Sequence, residues 1–413
     1  MNEQTPNIQT LLPEHIQISS DNAPTDFPQL PAKPAVYVLI STQNVPTLLA
    51  ATADLRRAVQ NRLSAPAELA HRPKVDYRSI TGSIRYTIVS SAFAASWWYY
   101  RAARKLFPGD WRKMVAWKNA WYIGVNTEEE FPHFNAGQKI VGSPGLDFGP
   151  IPGRTLARSV VHALEEMFDL CRYYDILRQA PHGQACAYKQ MGKCPAPCDG
   201  TITIASYRQQ LKTAVEYLCN SGSARIDWNK LIQEQMRQAA AKMEFRIAAA
   251  LKNKLTEAQL FDSPDMHYAD RLDQWGVLSF QYGRTDNWIE PFLIGPGYIE
   301  SWPQERTRDL SKSCRDWWDK IVGVQSSQIP EDFPRTDILS LACYHFHRSR
   351  DAGCYIPLRE LNGPDSLEQR INAWLADKRP AEVMEVTSIS ETNISGSALN
   401  EVGDRQENHG AEK

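Results

Sequence analysis

Four cysteines fall close together near the middle of the chain: Cys171, Cys186, Cys194 and Cys198, spaced C-x14-C-x7-C-x3-C. Thiolates are soft donors, and four of them suit either a tetrahedral zinc or a 4Fe–4S cluster. Zinc sites usually show paired C-x2-C knuckles, and none occurs here. The wide first gap and the stiff CPAPC turn (194–198) favour the cluster, with zinc as the alternative. The plainer possibility is four ordinary buried cysteines, free Cys being among the most buried residue types. That possibility suits the scattered Cys219, Cys314, Cys343 and Cys354 better. Disulfides are disfavoured, because the chain reads as cytoplasmic. Its N-terminus has no basic stretch leading into an apolar run, and no segment offers an uncharged membrane span.

The elements that must hold these thiols come from a chain with 42% hydrophobic and 23% charged residues, ordinary globular values that imply a core. A length of 413 residues allows several domains. A formal charge of −2 gives no overall nucleic-acid signal, so any basic surface must be local. PAVYVLI (34–40) reads as a buried strand, 45–63 as a strand passing into a helix, 78–90 as a strand and AFAASWWYYRAARKLF as a helix stopped by Pro108-Gly109. AWYIGV (120–125) is another strand, and an amphipathic helix from Arg154 to Tyr174 leads into the cysteines. A helix from about Ile204 to Cys219 follows, then a strongly helical stretch over 228–260, a strand pair in WGVLSFQYG and WIEPFLIGPGYIES, and a mostly helical part. The expected class is α+β.

CAYKQMGKCPAPCDGTITIASYRQQL resembles the middle of the UvrC family, the incision subunit of the bacterial nucleotide-excision nuclease. The likeness extends upstream to DFGPIP (147–152). It implies a 4Fe–4S cluster held by Cys171, Cys186, Cys194 and Cys198. Residues 232–255, IQEQMRQAAAKMEFRIAAALKNKL, are by periodicity alone an ordinary core helix pair. Their order is also similar to the UVR motif, a helical hairpin by which UvrC docks UvrB. That resemblance assigns partner contact to Met236, Met243, Phe245, Ile247 and Leu251.

UvrC begins with a GIY-YIG endonuclease domain, whose reaction needs two tyrosines, a lysine, a helical arginine and a metal-holding glutamate around one phosphodiester. PAVYVLISTQNVPTLLAATADLRRAVQNRL resembles the frame, with Tyr37 at the first tyrosine. The second tyrosine falls on Leu48, its glycine on Ala50, the lysine on Ala51 and the helical arginine on Ala58, and the glutamate on Ser96 or Tyr99. No acidic residue lies between Asp76 and Asp110, so no divalent catalytic metal is expected. The resemblance therefore implies the fold without the reaction. Neither a second, RNase H-like nuclease nor a helix-hairpin-helix pair is recognisable in the residues after the hairpin.

From Arg56 to Lys118 there are 13 Lys and Arg against Glu68, Asp76 and Asp110, interleaved with aromatics. Such a segment suits phosphate tracking and base stacking, and Arg56, Arg57, Arg101, Arg104, Lys105, Arg112 and Lys113 are the candidates for DNA contact. Against this, WWYY on a helix is more often core than platform. The expected layout is a disordered leader (1–30), a degenerate GIY-YIG domain (31–125), a Cys-rich domain (126–222), a UVR-type hairpin (223–262), an α/β extension (263–378) and a disordered tail (379–413). The expected function is a UvrC-like repair protein that binds DNA and a UvrB-like partner and does not cut. Two alternatives stand beside it: a nuclease rebuilt around Tyr37, Arg56, Arg57 and Tyr86, and a redox-responsive iron–sulfur scaffold.

Overall fold

A computed structural model describes residues 8–18, 27–64, 75–219, 222–283, 285, 287–325, 333–348 and 353–377. The tail read as disordered, 379–413, lies outside them, as do 1–7 and 19–26 of the expected leader. The described chain is α+β and divides after Ala116 into two compact units.

The first unit opens with α1 (Ile8–Leu11) and β1 (Glu14–Gln17). There follow β2 (Ala35–Ser41), β3 (Pro46–Thr52), α2 (Leu55–Leu63), α3 (Tyr77–Ile80), β4 (Thr81–Ile88), α4 (Ala92–Leu106) and α5 (Trp111–Met114). The strands form an antiparallel sheet in the order β1-β4-β2-β3. AVYVLI is apolar throughout because β2 is central and buried on both faces. Asp54 caps α2 by accepting from the Arg57 amide, and Leu55, Val59 and Leu63, four apart, bury one stripe against the sheet. Ser91 caps α4 in the same way through the Ala94 amide.

The N-terminal segment corrects the expectation of a loose leader. β1 pairs with β4 and covers its edge, while Leu11, Leu12, Phe27 and Leu30 are buried. Their apolar side chains outweigh the polar residues around them.

The second unit holds β5 (Trp121–Val125), β6 (Phe134–Gly137), β7 (Leu146–Ile151), α6 (Arg154–Met167), α7 (Tyr174–Leu177), α8 (Ala187–Gln190) and α9 (Ile204–Cys219). It continues with α10 (Ser223–Ala241), α11 (Phe245–Ala258) and β8 (Asp270–Arg271). A sheet ordered β6-β5-β7-β8 receives α6, whose Ala157, Val160, Leu164 and Met167 face the core. WYIGV thus pairs within the second unit, so the break lies at Ala116 rather than after residue 125. Gly149 of the DFGPIP turn lets β7 cross β5 closely: a Cβ there would meet the Tyr122 ring and the Trp121 carbonyl.

β9 (Val277–Tyr282), β10 (Trp288–Gly295), β11 (Tyr298–Ser301), β12 (Glu305–Arg306), α12 (Leu310–Gln325), α13 (Arg335–Phe346), β13 (Cys354–Pro357) and α14 (Pro364–Ala376) complete the unit. Their sheet runs β11-β10-β9-β13, with β12 on β10. α12 and α14 pack on it through Trp317, Ile321, Leu367 and Ile371. α13 touches β7 as well as β10 and β11, and is buried around nearly its whole circumference. The residues after the hairpin are therefore continuous with the sheet that receives α6, to which they also contribute β8.

Glu165 on α6 is largely enclosed, and burial raises its carboxyl to about 7, opposed by Arg172 and aided by Glu166. The folded protein then holds a proton that the unfolded chain has released, so stability falls as pH rises from about 4.5 to about 7. Glu165→Gln is expected to flatten this limb and to exceed the parent's stability above it by up to about 3 kcal/mol in urea unfolding across pH. Identical profiles for the two proteins would show that Glu165 is solvated.

Candidate metal centre and docking hairpin

α6 ends at Met167, earlier than the periodicity suggested, because Asp169 turns the backbone left-handed (φ 53°) and sends Leu170 and Cys171 inward. The Cys171 thiol donates to the Tyr173 carbonyl at 3.4 Å and interacts with the neighbouring Cys194. Cys194 also accepts from the Ala196 amide at 3.4 Å, an arrangement fixed by the left-handed Ala196 (φ 55°) between Pro195 and Pro197. Cys198 sits in the next tight turn, its carbonyl accepting from Gly183, and Cys186 caps α8 half-buried. The interaction with Cys194, together with burial, pushes the Cys171 thiol up. The same interaction, the Ala196 amide and the nearby Arg172 cation draw Cys194 down against its burial. Burial raises Cys198.

The frame around these sulfurs is polar and tightly tied. Arg172 pairs with Glu166 (2.7 Å), donates to the Lys193 carbonyl (2.9 Å) and lies over the Tyr188 ring (4.4 Å). Lys193 reaches Glu166 as well (3.2 Å), and Lys189 pairs with Asp199 (2.5 Å) across the loop. Lys189 and Lys193 thus brace the loop.

Four sulfurs, with the Cys194 thiol drawn down, suit a thiophilic metal or cluster in donor chemistry. Their placement is only partly convergent. Among the described residues no three Cys, His, Asp or Glu side chains are gathered to hold a metal ion as they stand. Cys171 and Cys194 touch, and Cys198 lies in their electrostatic neighbourhood. Cys219, Cys314, Cys343 and Cys354 are dispersed, each thiol raised to about 12 mainly by burial.

α10 and α11 pack together as a helical hairpin. Its turn is a Schellman closure: the Glu244 amide bonds the Ala239 carbonyl, and Met243 is left-handed (φ 61°). Met243 is 76% exposed and Phe245 68%, with Ile247 and Leu231 also outward, while Met236 and Leu251 are half-buried. The base is anchored by residues that periodicity does not single out. Arg225 donates to the carbonyls of Tyr217 and Leu218, and Lys254 pairs with Asp169 at 2.6 Å. Trp228 packs against Phe168 and Tyr217.

In the first unit Tyr37 is 1% exposed and sits across from Tyr86 and Ala50 in the sheet. Among the described residues its core is shared with α2 and includes no residue of α4, where Ser96 and Tyr99 are buried. Arg56 is engaged with the carbonyls of Leu30 and Pro28, whereas Arg57 is exposed. Glu14, within the segment taken for a leader, stands opposite Tyr86 and helps raise that phenol after burial. Of the basic residues, Lys105, Arg112 and Lys113 are exposed and Arg101 and Arg104 half-buried; Lys113 pairs with Asp110 at 3.1 Å. Trp97, Tyr99 and Tyr100 are core, and Trp98 is half-buried.

Residues 120–217 match the family model described as UvrC/Cho excinuclease, middle domain. UvrABC system protein C of Acetivibrio thermocellus is 24% identical over 200 residues, 48% of this chain and 32% of that protein. The protein of the same name from Ruminiclostridium cellulolyticum is 24% identical over 278 residues, 66% of this chain and 44% of its own length. That of Clostridium beijerinckii is 26% identical over 180 residues, covering 43% and 28%. The chain thus spans less than half the length of these curated relatives. No solved structure matches. The segment carrying all four clustered thiols is therefore similar to a UvrC/Cho excinuclease middle domain, and up to two thirds of the chain is similar to UvrABC system protein C.

Proposed function

We propose that this protein acts in nucleotide-excision repair as a UvrC-like factor that binds DNA and a UvrB-like partner and does not cut by the GIY-YIG route. The observation that carries the reading is the match over residues 120–217, which encloses Cys171, Cys186, Cys194 and Cys198. These four would hold a 4Fe–4S cluster that pins the segment after α6 to the CPAPC turn, with zinc as the alternative. Protein purified without oxygen should be brown and hold about four irons per chain. A colourless protein with one zinc would replace the cluster by a structural zinc site.

The hairpin supplies the partner surface. Met243, Phe245 and Ile247 leave apolar area in water at a turn held rigid from its base, an arrangement suited to burial against a second helical hairpin. Met243→Asp with Phe245→Ala should reduce capture of a UvrB-type protein by about tenfold or more while leaving the melting temperature unchanged. Undiminished capture would assign these side chains no docking role.

Loss of cutting is supported by the burial of Tyr37 and by the alanines and leucine at the positions where the resemblance places the other catalytic groups. One observation favours a rebuilt nuclease instead: Glu14 brings a carboxylate beside Tyr86. With Mg²⁺ or Mn²⁺ present, a lesion-bearing duplex should remain intact. Nicking that disappears with Glu14→Gln or Tyr37→Phe would establish the rebuilt site and overturn the non-cutting reading.

A further inference from the structure

The end of α4 and the start of α5 set guanidinium groups over aromatic rings. The Arg101 guanidinium lies 4.7 Å from the centre of the Trp98 ring, and that of Arg104 lies 5.6 Å from Tyr100 and 5.8 Å from Trp111. Arg112 covers Trp111 at 4.5 Å. The rings brace one another, Tyr100 meeting Trp111 edge-on at 5.3 Å, and the Arg104 Nη1 also donates to the Tyr100 hydroxyl at 3.1 Å. α4 contains no acidic residue, so Asp110 is the one carboxylate within this stretch, and it is paired with Lys113.

Stacking changes what an arginine can do. A guanidinium held over a ring is attracted to its face, and a guanidinium's N–H groups suit phosphate oxygens. Its long side chain is already ordered, so less conformational freedom is lost when a ligand binds. Alternating planes and cations along one helix edge match a ligand with both flat rings and phosphates exposed. A duplex presents phosphates but hides its bases; an unpaired strand presents both.

We propose that the α4–α5 edge is a binding track for single-stranded DNA, with Arg101, Arg104 and Arg112 on the phosphates and Trp98 and Trp111 supporting unpaired bases. The proposal rests on the reading above that the protein binds DNA, and it specifies which form of DNA this surface takes.

The test uses the full chain with an oligo(dT) strand of about 15 nucleotides and a duplex of equal length, titrated across salt concentrations. The parent should prefer the single strand. Replacing Arg101, Arg104 and Arg112 together by Ala should weaken strand binding more than about tenfold and lower the log–log salt slope by about 2, the contribution of three phosphate contacts. Replacing the same three by Lys keeps the charge and removes the planar guanidinium over the rings. That variant should retain the slope and still lose affinity. A lysine variant that binds like the parent would reduce the surface to a plain charge effect and overturn the track. So would an alanine variant with unchanged affinity and slope. Equal parental affinity for strand and duplex would remove the single-strand assignment and leave DNA binding standing. A parent that bound neither would overturn the DNA-binding reading itself.

Discussion

The side chain of Arg172 joins parts of the cysteine-bearing segment that would otherwise be separate. It follows Cys171 immediately, reaches back to Glu166 at the end of α6, forward to the Lys193 carbonyl beside Cys194, and lies over Tyr188 beyond Cys186. A guanidinium this enclosed is tolerated only because anionic, carbonyl and aromatic partners surround it, and removing one of a buried pair commonly costs about 3–5 kcal/mol. The same cation favours thiolate at Cys194. The cation that ties the cysteine loop together therefore also contributes to the acidity of Cys194.

The hairpin depends on this frame in turn. Asp169, two residues before Cys171, pairs with Lys254 on α11, and Phe168 packs on Trp228 of α10. Both helices are thus fixed at the base by the strap that carries the first cysteine, while the far end projects into solvent. A rigid base with an apolar tip requires little reordering when a partner arrives.

What was legible in the residues follows from the range of each interaction. β2 could be read directly because a central strand needs an unbroken apolar run, and the hairpin because its periodicity is local. The clustered thiols were legible by type and spacing, and the family match encloses them. The N-terminal strand EHIQ was missed because an edge strand can be polar, its place decided by β4 far along the chain. The unit boundary was misplaced because WYIGV would suit either sheet, and only its pairing with β6 and β7 decides. Trp97, Tyr99 and Tyr100 look like a platform in one dimension, and three-dimensional packing makes them core. Arg225 and Lys254 carried no local signal, since their importance lies in partners distant in sequence.

The tip of the hairpin has one more consequence. A left-handed backbone at a helix end is the conformation that glycine adopts without strain, and a side chain there costs about 1 kcal/mol. This chain places methionine at that position and leaves it almost fully in water, so neither backbone ease nor core burial accounts for the residue. Folding alone would favour glycine at residue 243. The hairpin is thus less stable than its own geometry permits, and the difference is concentrated at the point farthest from its anchors, where a flexible thioether can adapt to the shape of another surface.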